Sequence, residues 1–271
     1  MRIKTIVSSA VCDFQKSARW LVKRDKRSSG IWITGLAKSG TSLVENVVSE
    51  FGYLDGARSV LRRRVKYPGM ENGLVSGTFF KSFGHTMLTY RKTHTPYDKA
   101  IEDLIGTIVP IVMIRDIRDA LVSRYYHILS DPNHWDYQRL MGIPEDERFK
   151  QSILVNNPVY PVSQLEYYAF WVDSWLTSKW VANVVHYEDY LANPTGFIER
   201  LAFLCSVEGV EASRLEAKLA ERRVEISSIG NNLSERRKMS NGPSGTFRSG
   251  RQGEHKKFFS DPDLNSIYTA L

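Results

Sequence analysis

Cysteine is scarce. The 271 residues include two, Cys12 and Cys205, too far apart for a CxxC pair or a metal-binding spacing. A disulfide framework is therefore not expected, and a reducing compartment, the cytoplasm, suits the chain. No apolar run approaches the roughly 20 residues that a membrane-spanning helix needs. The N-terminus is too broken by charge to read as a secretory signal. Acidic residues are outnumbered, 30 against 37 Lys and Arg, leaving a net charge of +7 that draws anionic partners of many classes. Internal repeats and clear linkers are missing too. What is present is a core: 42% hydrophobic and 11% aromatic residues make a folded protein rather than a disordered tail. The length suits a single α/β domain over residues 30–271, preceded by a basic segment, 1–29.

One stretch organises the rest. Ile31-Trp32-Ile33-Thr34 is apolar and β-favouring, as a buried parallel strand is. Gly35 to Gly40 is a tight turn of small residues. From Thr41 the spacing becomes helical, with Leu43, Val44, Val47, Val48 and Phe51 on one face and Gly52 as the stop. A strand, a glycine-bracketed loop and a helix N-terminus make an anion cradle, because unpaired N–H groups and the helix dipole converge there. The nucleotide-triphosphate loop would have Lys directly after the second glycine. Here Thr41 holds that slot and Lys38 sits inside the loop. An anion other than magnesium triphosphate is expected.

Along the chain, residues 1–29 carry eight Lys or Arg on an amphipathic helical pattern. Such a helix can lie on an anionic membrane or dock on the body of the domain, and ordinary surface helices favour docking. Arg62-Arg63-Arg64 is a basic patch without the interleaved aromatics of single-stranded nucleic-acid grooves, so no nucleic-acid partner is expected. Thr78–Phe83 and Thr86–Lys92 read as a hairpin around Gly84-His85. His94 then falls at a strand end, two residues before Pro96. Thr107–Ile114 reads as a second buried strand ending at Arg115, and a helix follows that carries Ser123. Residues 131–162 read as a long polar excursion, a flap. A helix follows with an aromatic stripe at Tyr168, Trp171 and Trp175 that core packing explains. A strand over Val181–His186 and two helices come next, and the stretch from Asn231 to Lys257 reads as a basic, glycine-rich loop.

Several of these segments, in the same order, resemble the PAPS-dependent sulfotransferase family, most of all its cytosolic type. Ala37-Lys38-Ser39-Gly40-Thr41-Ser42 resembles the family's PKSGTT loop for the 5′-phosphosulfate. Val112 to His127 resembles RNPKDVxVSxYH, whose matched residues Arg115 and Ser123 would hold the 3′-phosphate. Lys92-Thr93-His94-Thr95-Pro96 resembles KTHLP, with its histidine as general base. Val184 to Pro194 is similar to YEDxxxNP, which would bring Tyr187 near the adenine. Phe247-Arg248-Ser249-Gly250 through Gly253 and Lys256 resembles FRKGxxGxWK, which closes over the cofactor. Three departures stand out: Leu43 replaces a tryptophan, Ser249 a lysine and His255 the tryptophan of WK. The resemblance implies a P-loop-like three-layer α/β fold with a mostly parallel central sheet flanked by helices. It also implies PAPS as donor, PAP as product and no metal.

The implied chemistry is sulfuryl transfer to a hydroxyl, mostly by positioning and charge neutralisation. Lys38 and the N–H groups of Ser39, Gly40, Thr41 and Ser42 would stabilise the leaving 5′-phosphate. Lys92 would neutralise sulfuryl oxygens, and His94 would take the acceptor's proton. His85 is the rival base. Two rival functions remain at this stage: a P-loop kinase-like phosphotransferase, against which Thr41 argues, and a non-catalytic anion or glycan binder driven by net charge. The basic segments lean the acceptor toward a glycan-like or lipid-like hydroxyl at a membrane periphery. The C-terminal dimer motif of animal relatives is not recognisable around Lys256–Asn265, so that particular dimer is not expected, and the oligomeric state stays open.

Overall fold

A computed structural model describes residues 30–55, 88–105, 108–157, 161–228 and 253–259. Strand β1 (Gly30–Gly35) is buried along its whole length, as the apolar β-branched run dictates. Helix α1 (Thr41–Glu50) starts at Gly40, whose left-handed backbone (φ 101°) turns the loop into the helix. Its buried stripe is Val44, Val47 and Val48, and Gly52 (φ 92°) ends it. The chain continues through β2 (Leu54–Asp55), β3 (Thr89–Thr93), α2 (Lys99–Ile105) and β4 (Val109–Ile114). Next come α3 (Ile117–Ser130), α4 (Tyr137–Met141), α5 (Glu145–Leu154) and α6 (Gln164–Leu176). Strand β5 (Val184–His186), α7 (Tyr187–Ala192), α8 (Pro194–Leu204), α9 (Ala212–Ser228) and a 3₁₀ turn (Glu254–Lys257) complete it.

The five strands form one sheet in the order β2-β3-β1-β4-β5, and every pairing is parallel. Alternation along the strands makes the three layers. Ile31, Ile33, Ile111 and Met113 face one core, under α1, α7, α8 and α9. Trp32, Val112 and Ile114 face the other, under α2 to α6. Caps fix where key helices begin. The Asp116 carboxylate accepts from the Arg118 N–H at 2.9 Å, which starts α3 directly after β4. Ser163 and Glu166 form a capping box on α6.

The three-layer α/β arrangement is as expected, with one correction. Residues 131–162 are not an irregular flap: they fold largely as α4 and α5, because Leu140, Phe149 and Ile153 are buried in the core beside α3 and α6. Polar residues between these apolar positions masked the helical period. Of the expected hairpin only the end of the second arm is described: β3 lies between β1 and β2, parallel to both. The other half of that hairpin, Thr78–Phe83, lies outside the described residues. So do the basic segments 1–29 and 62–66 and most of the glycine-rich stretch. Among the described residues no helix is long and apolar enough to cross a membrane.

Candidate active site

Strands β3 and β4 flank β1, so the chain leaves the sheet in opposite directions on its two sides. The crevice at the carboxyl ends of such strands is where α/β sheets take ligands. Those ends carry the loop after Gly35, Lys92 and Thr93 at the end of β3 with His94 directly after it, and Arg115 after β4.

The loop is shaped from within. The Ser39 hydroxyl lies 2.8 Å from the Leu36 carbonyl and 3.0 Å from that of Met113, and the Ser39 N–H donates back to Leu36 at 3.1 Å. Ser39 is fully buried, so its polar groups serve the loop's own geometry. A Cβ on Gly35 would come within 2.7 Å of the Met113 carbonyl oxygen. One on Gly40 would come within 2.7 Å of the Tyr187 ring. Lys38 takes a left-handed backbone (φ 72°), the strained conformation of a tight turn. Gly40 offers α1 no side-chain cap; the Leu43 N–H donates to the Gly40 carbonyl at 2.9 Å, while the N–H groups of Thr41 and Ser42 precede the helix's own bonding pattern. They face the crevice together with the positive end of the helix dipole. Tyr168 supports the loop from α6, donating its hydroxyl to the Ala37 carbonyl at 3.1 Å; burial pushes its pKa up to about 12.

His94 stands at the rim of the same loop. Its Nδ1 is 2.6 Å from the Gly35 carbonyl oxygen. A carbonyl only accepts, so Nδ1 carries the proton and Nε2 is left as the basic nitrogen. Burial lowers the imidazole pKa to about 4; the Gly35 bond opposes that, and the charges of Lys92 and Lys38 add to it. The ring is thus neutral near pH 7. The backbone beneath it is held from α6: Tyr167 and Trp171 donate to the His94 carbonyl at 3.1 and 3.2 Å, and Trp175 donates to that of Thr95 at 3.0 Å. Thr34, on β1, also donates to the Thr95 carbonyl, at 3.0 Å.

Lys92 Nζ pairs with the Glu45 carboxylate at 2.5 Å and lies 3.4 Å from the Ser42 hydroxyl. This brings β3 and α1 together at the loop. On the other side of Gly40, the Arg115 guanidinium stacks 4.7 Å above the Tyr187 ring, whose edge fills the space beside Gly40. Burial raises the Tyr187 pKa, and Arg115 opposes that. The Asp116 N–H donates to Glu188 at 3.1 Å, tying this turn to α7. Burial would raise the Asp116 pKa, yet the bonded Arg118 guanidinium holds it below the usual range. Ser123 lies two helical turns beyond Arg115 and is partly buried.

The sequence matches the sulfotransferase domain family over residues 28–267. The chain belongs to the sulfotransferase family. Its fold is similar to that of mouse sulfotransferase SULT7A1 complexed with PAP, at TM-score 0.56 and 17% identity over 93% of this chain and 85% of that one. It is also similar to retinol dehydratase in complex with retinol and PAP, at TM-score 0.53 and 16% identity over 93% and 82% of the two chains. A second retinol dehydratase structure, with androsterone and inactive cofactor PAP, gives TM-score 0.54 and 16% identity over 93% and 81%. At such identities the likeness speaks for the fold. No curated protein matches the sequence significantly.

In this sulfotransferase-family chain the structure gathers Lys38, Ser39, Gly40, Thr41, Ser42, Lys92, His94, Arg115 and Tyr187 around one set of strand ends. Arg248, Ser249, Gly250 and the rival base His85 lie outside the described residues. Sequence reasoning missed Glu45 and the hydrogen-bonding use of the aromatic stripe. The stripe did carry a signal, because buried Tyr and Trp need partners for their O–H and N–H.

Proposed function

We propose that the chain transfers a sulfuryl group from PAPS to a hydroxyl acceptor and releases PAP, with residues 30–271 as the working unit. The residues fit this donor. Side chains are excluded at Gly35 and Gly40, which leaves a bare backbone cradle at a helix N-terminus, flanked by Lys38 and Arg115. One observation carries the catalytic reading over simple anion binding: the hydrogen bond from His94 Nδ1 to the Gly35 carbonyl, at the mouth of that cradle.

When bound, PAPS supplies the sulfuryl group and a 5′-phosphate leaving group. Lys38 and the N–H groups of Gly40, Thr41 and Ser42 neutralise charge growing on that phosphate. Ser39 keeps the loop in shape. Lys92, beside Ser42, neutralises sulfuryl oxygens, with Glu45 as its counter-ion until the site fills. His94 Nε2 accepts the acceptor's hydroxyl proton while Nδ1–H stays on Gly35, a general-base contribution on the order of 10²–10⁴-fold. Arg115 and Ser123 hold the 3′-phosphate, Tyr187 the adenine side, and Arg248, Ser249 and Gly250 close over the nucleotide. The acceptor class is a glycan-like or lipid-like hydroxyl, and the site of action is the cytoplasm, at a membrane periphery.

Incubation with sulfur-labelled PAPS and a panel of phenols, sugars and lipid alcohols, with chelator present, tests this. The expected result is label on a hydroxyl compound without added metal, together with a rise in Tm on adding PAP. Absence of both overturns the proposal. Dependence on magnesium ATP would favour a phosphotransferase, and salt-sensitive binding without turnover an anion binder.

A further inference from the structure

Asp119 is a buried carboxylate on the helix that follows Arg115, and the sulfuryl-transfer chemistry does not use it. It sits in the first turn of α3, four residues after Arg115 and four before Ser123. Its side chain is fully buried. Both oxygens are taken by a segment more than a hundred residues away. Oδ2 accepts from the Gly253 N–H at 2.8 Å, and Oδ1 accepts from the His255 N–H at 3.1 Å and from His255 Nδ1 at 2.8 Å. Gly253 is left-handed (φ 81°), which turns its N–H toward the carboxylate as the 3₁₀ turn begins. The segment is also anchored by packing: the Phe258 ring lies 4.5 Å from that of Phe149, and Phe259 is buried. These rings hold the C-terminal end of the segment. The carboxylate clasp does something else: it sets the orientation of Gly253 to His255 on α3.

Residues four apart on a helix share a face, so the clasp lies on the same side of α3 as Ser123. A buried carboxylate one helical turn from a phosphate site would repel the phosphate, unless its charge is met by donors. Three N–H groups meet it here. We infer that the Asp119–His255 clasp is a positioning element for recognition of the donor's 3′-phosphate. It spends the Asp119 charge locally and fixes the 253–257 segment beside the helix face of Ser123. His255 is a positioning residue in this account, acting through Asp119. The inference rests on the donor reading above.

The test is the ratio of PAP to AMP affinity, measured by calorimetry, since AMP lacks the 3′-phosphate. His255→Phe removes the side-chain donor and should lower that ratio about tenfold while AMP affinity stays constant. His255→Asn, whose amide places an N–H where Nδ1 stood, should stay within about threefold of the wild-type ratio. His255→Gln, whose amide reaches past that point, should behave like His255→Phe. A merely structural histidine would lower Tm and weaken both nucleotides equally. A wild-type ratio in both His255→Gln and His255→Phe overturns the clasp. Should His255→Phe fail to fold, the Asn and Gln pair decides alone, and equal ratios overturn the inference. A wild-type protein that does not prefer PAP over AMP would instead overturn the donor reading itself.

Discussion

The cradle and the base sit side by side but are built differently. The cradle is one continuous strand, loop and helix, Gly30 to Glu50, shaped by bonds between near neighbours such as Ser39 and Leu36, with outside support from the Met113 carbonyl and the Tyr168 hydroxyl. The base is assembled from distant parts. His94 bonds Gly35 across 59 residues, and its carbonyl takes donors from Tyr167 and Trp171 across 73 and 77. A mostly local motif takes the greater part of its shape from its own few residues. A long-range constellation depends on the sheet order and on α6 docking, and so it can be detuned from far away.

The largest effect that would break this contrast is at the base itself. His94→Ala should lower turnover by about 10²–10⁴-fold. PAP affinity, measured by calorimetry, should change less than threefold. A matching loss of PAP binding would mean that cradle and base are not separable. Next, Gly40→Ala adds a Cβ into the Tyr187 ring at a left-handed position and should abolish PAP binding while the protein still folds. Circular dichroism and calorimetry on the same sample check both halves.

A third effect is smaller. Trp171→Phe removes one of two donors to the His94 carbonyl, a loss of about 1 kcal/mol. The expected result is a kcat several-fold lower with unchanged PAP affinity. An equal fall in both would mean that α6 supports the whole site rather than the base. The mildest test is pH. Because the imidazole pKa in the free protein is near 4, the acid limb of kcat/KM should lie well below the ordinary histidine value. Bound anions offset the lowering by Lys92 and Lys38, so the limb in kcat should move upward. The sign for stability follows from the depressed value. The contribution is complete above the unfolded value near 6.5 and is lost as pH falls toward 4. His94→Gln should flatten that part of the Tm–pH curve.

Legibility in the sequence follows the same division. The loop from Gly35 to Gly40, α1, β4 and the turn at Arg115 were readable because residues adjacent in sequence do the work. His94 was placed at a strand end by Pro96. Its proton's location was not readable, since that depends on Gly35 being brought beside it by β1–β3 pairing. The stretch 131–162 hid α4 and α5 because Pro, Asn and charged residues break up its apolar positions, and burial of Leu140, Phe149 and Ile153 in the core overrides that pattern. Glu45 was invisible because nothing in α1 alone shows that Lys92 comes across from β3.

The central claim is tested most directly by a crystal structure of the protein with PAP. The expected result is the 5′-phosphate against Lys38 and the N–H groups of Gly40 to Ser42, the 3′-phosphate between Arg115 and Ser123, and His94 Nδ1 still on the Gly35 carbonyl. Phosphates seated elsewhere, or entering in the reverse sense, would contradict it.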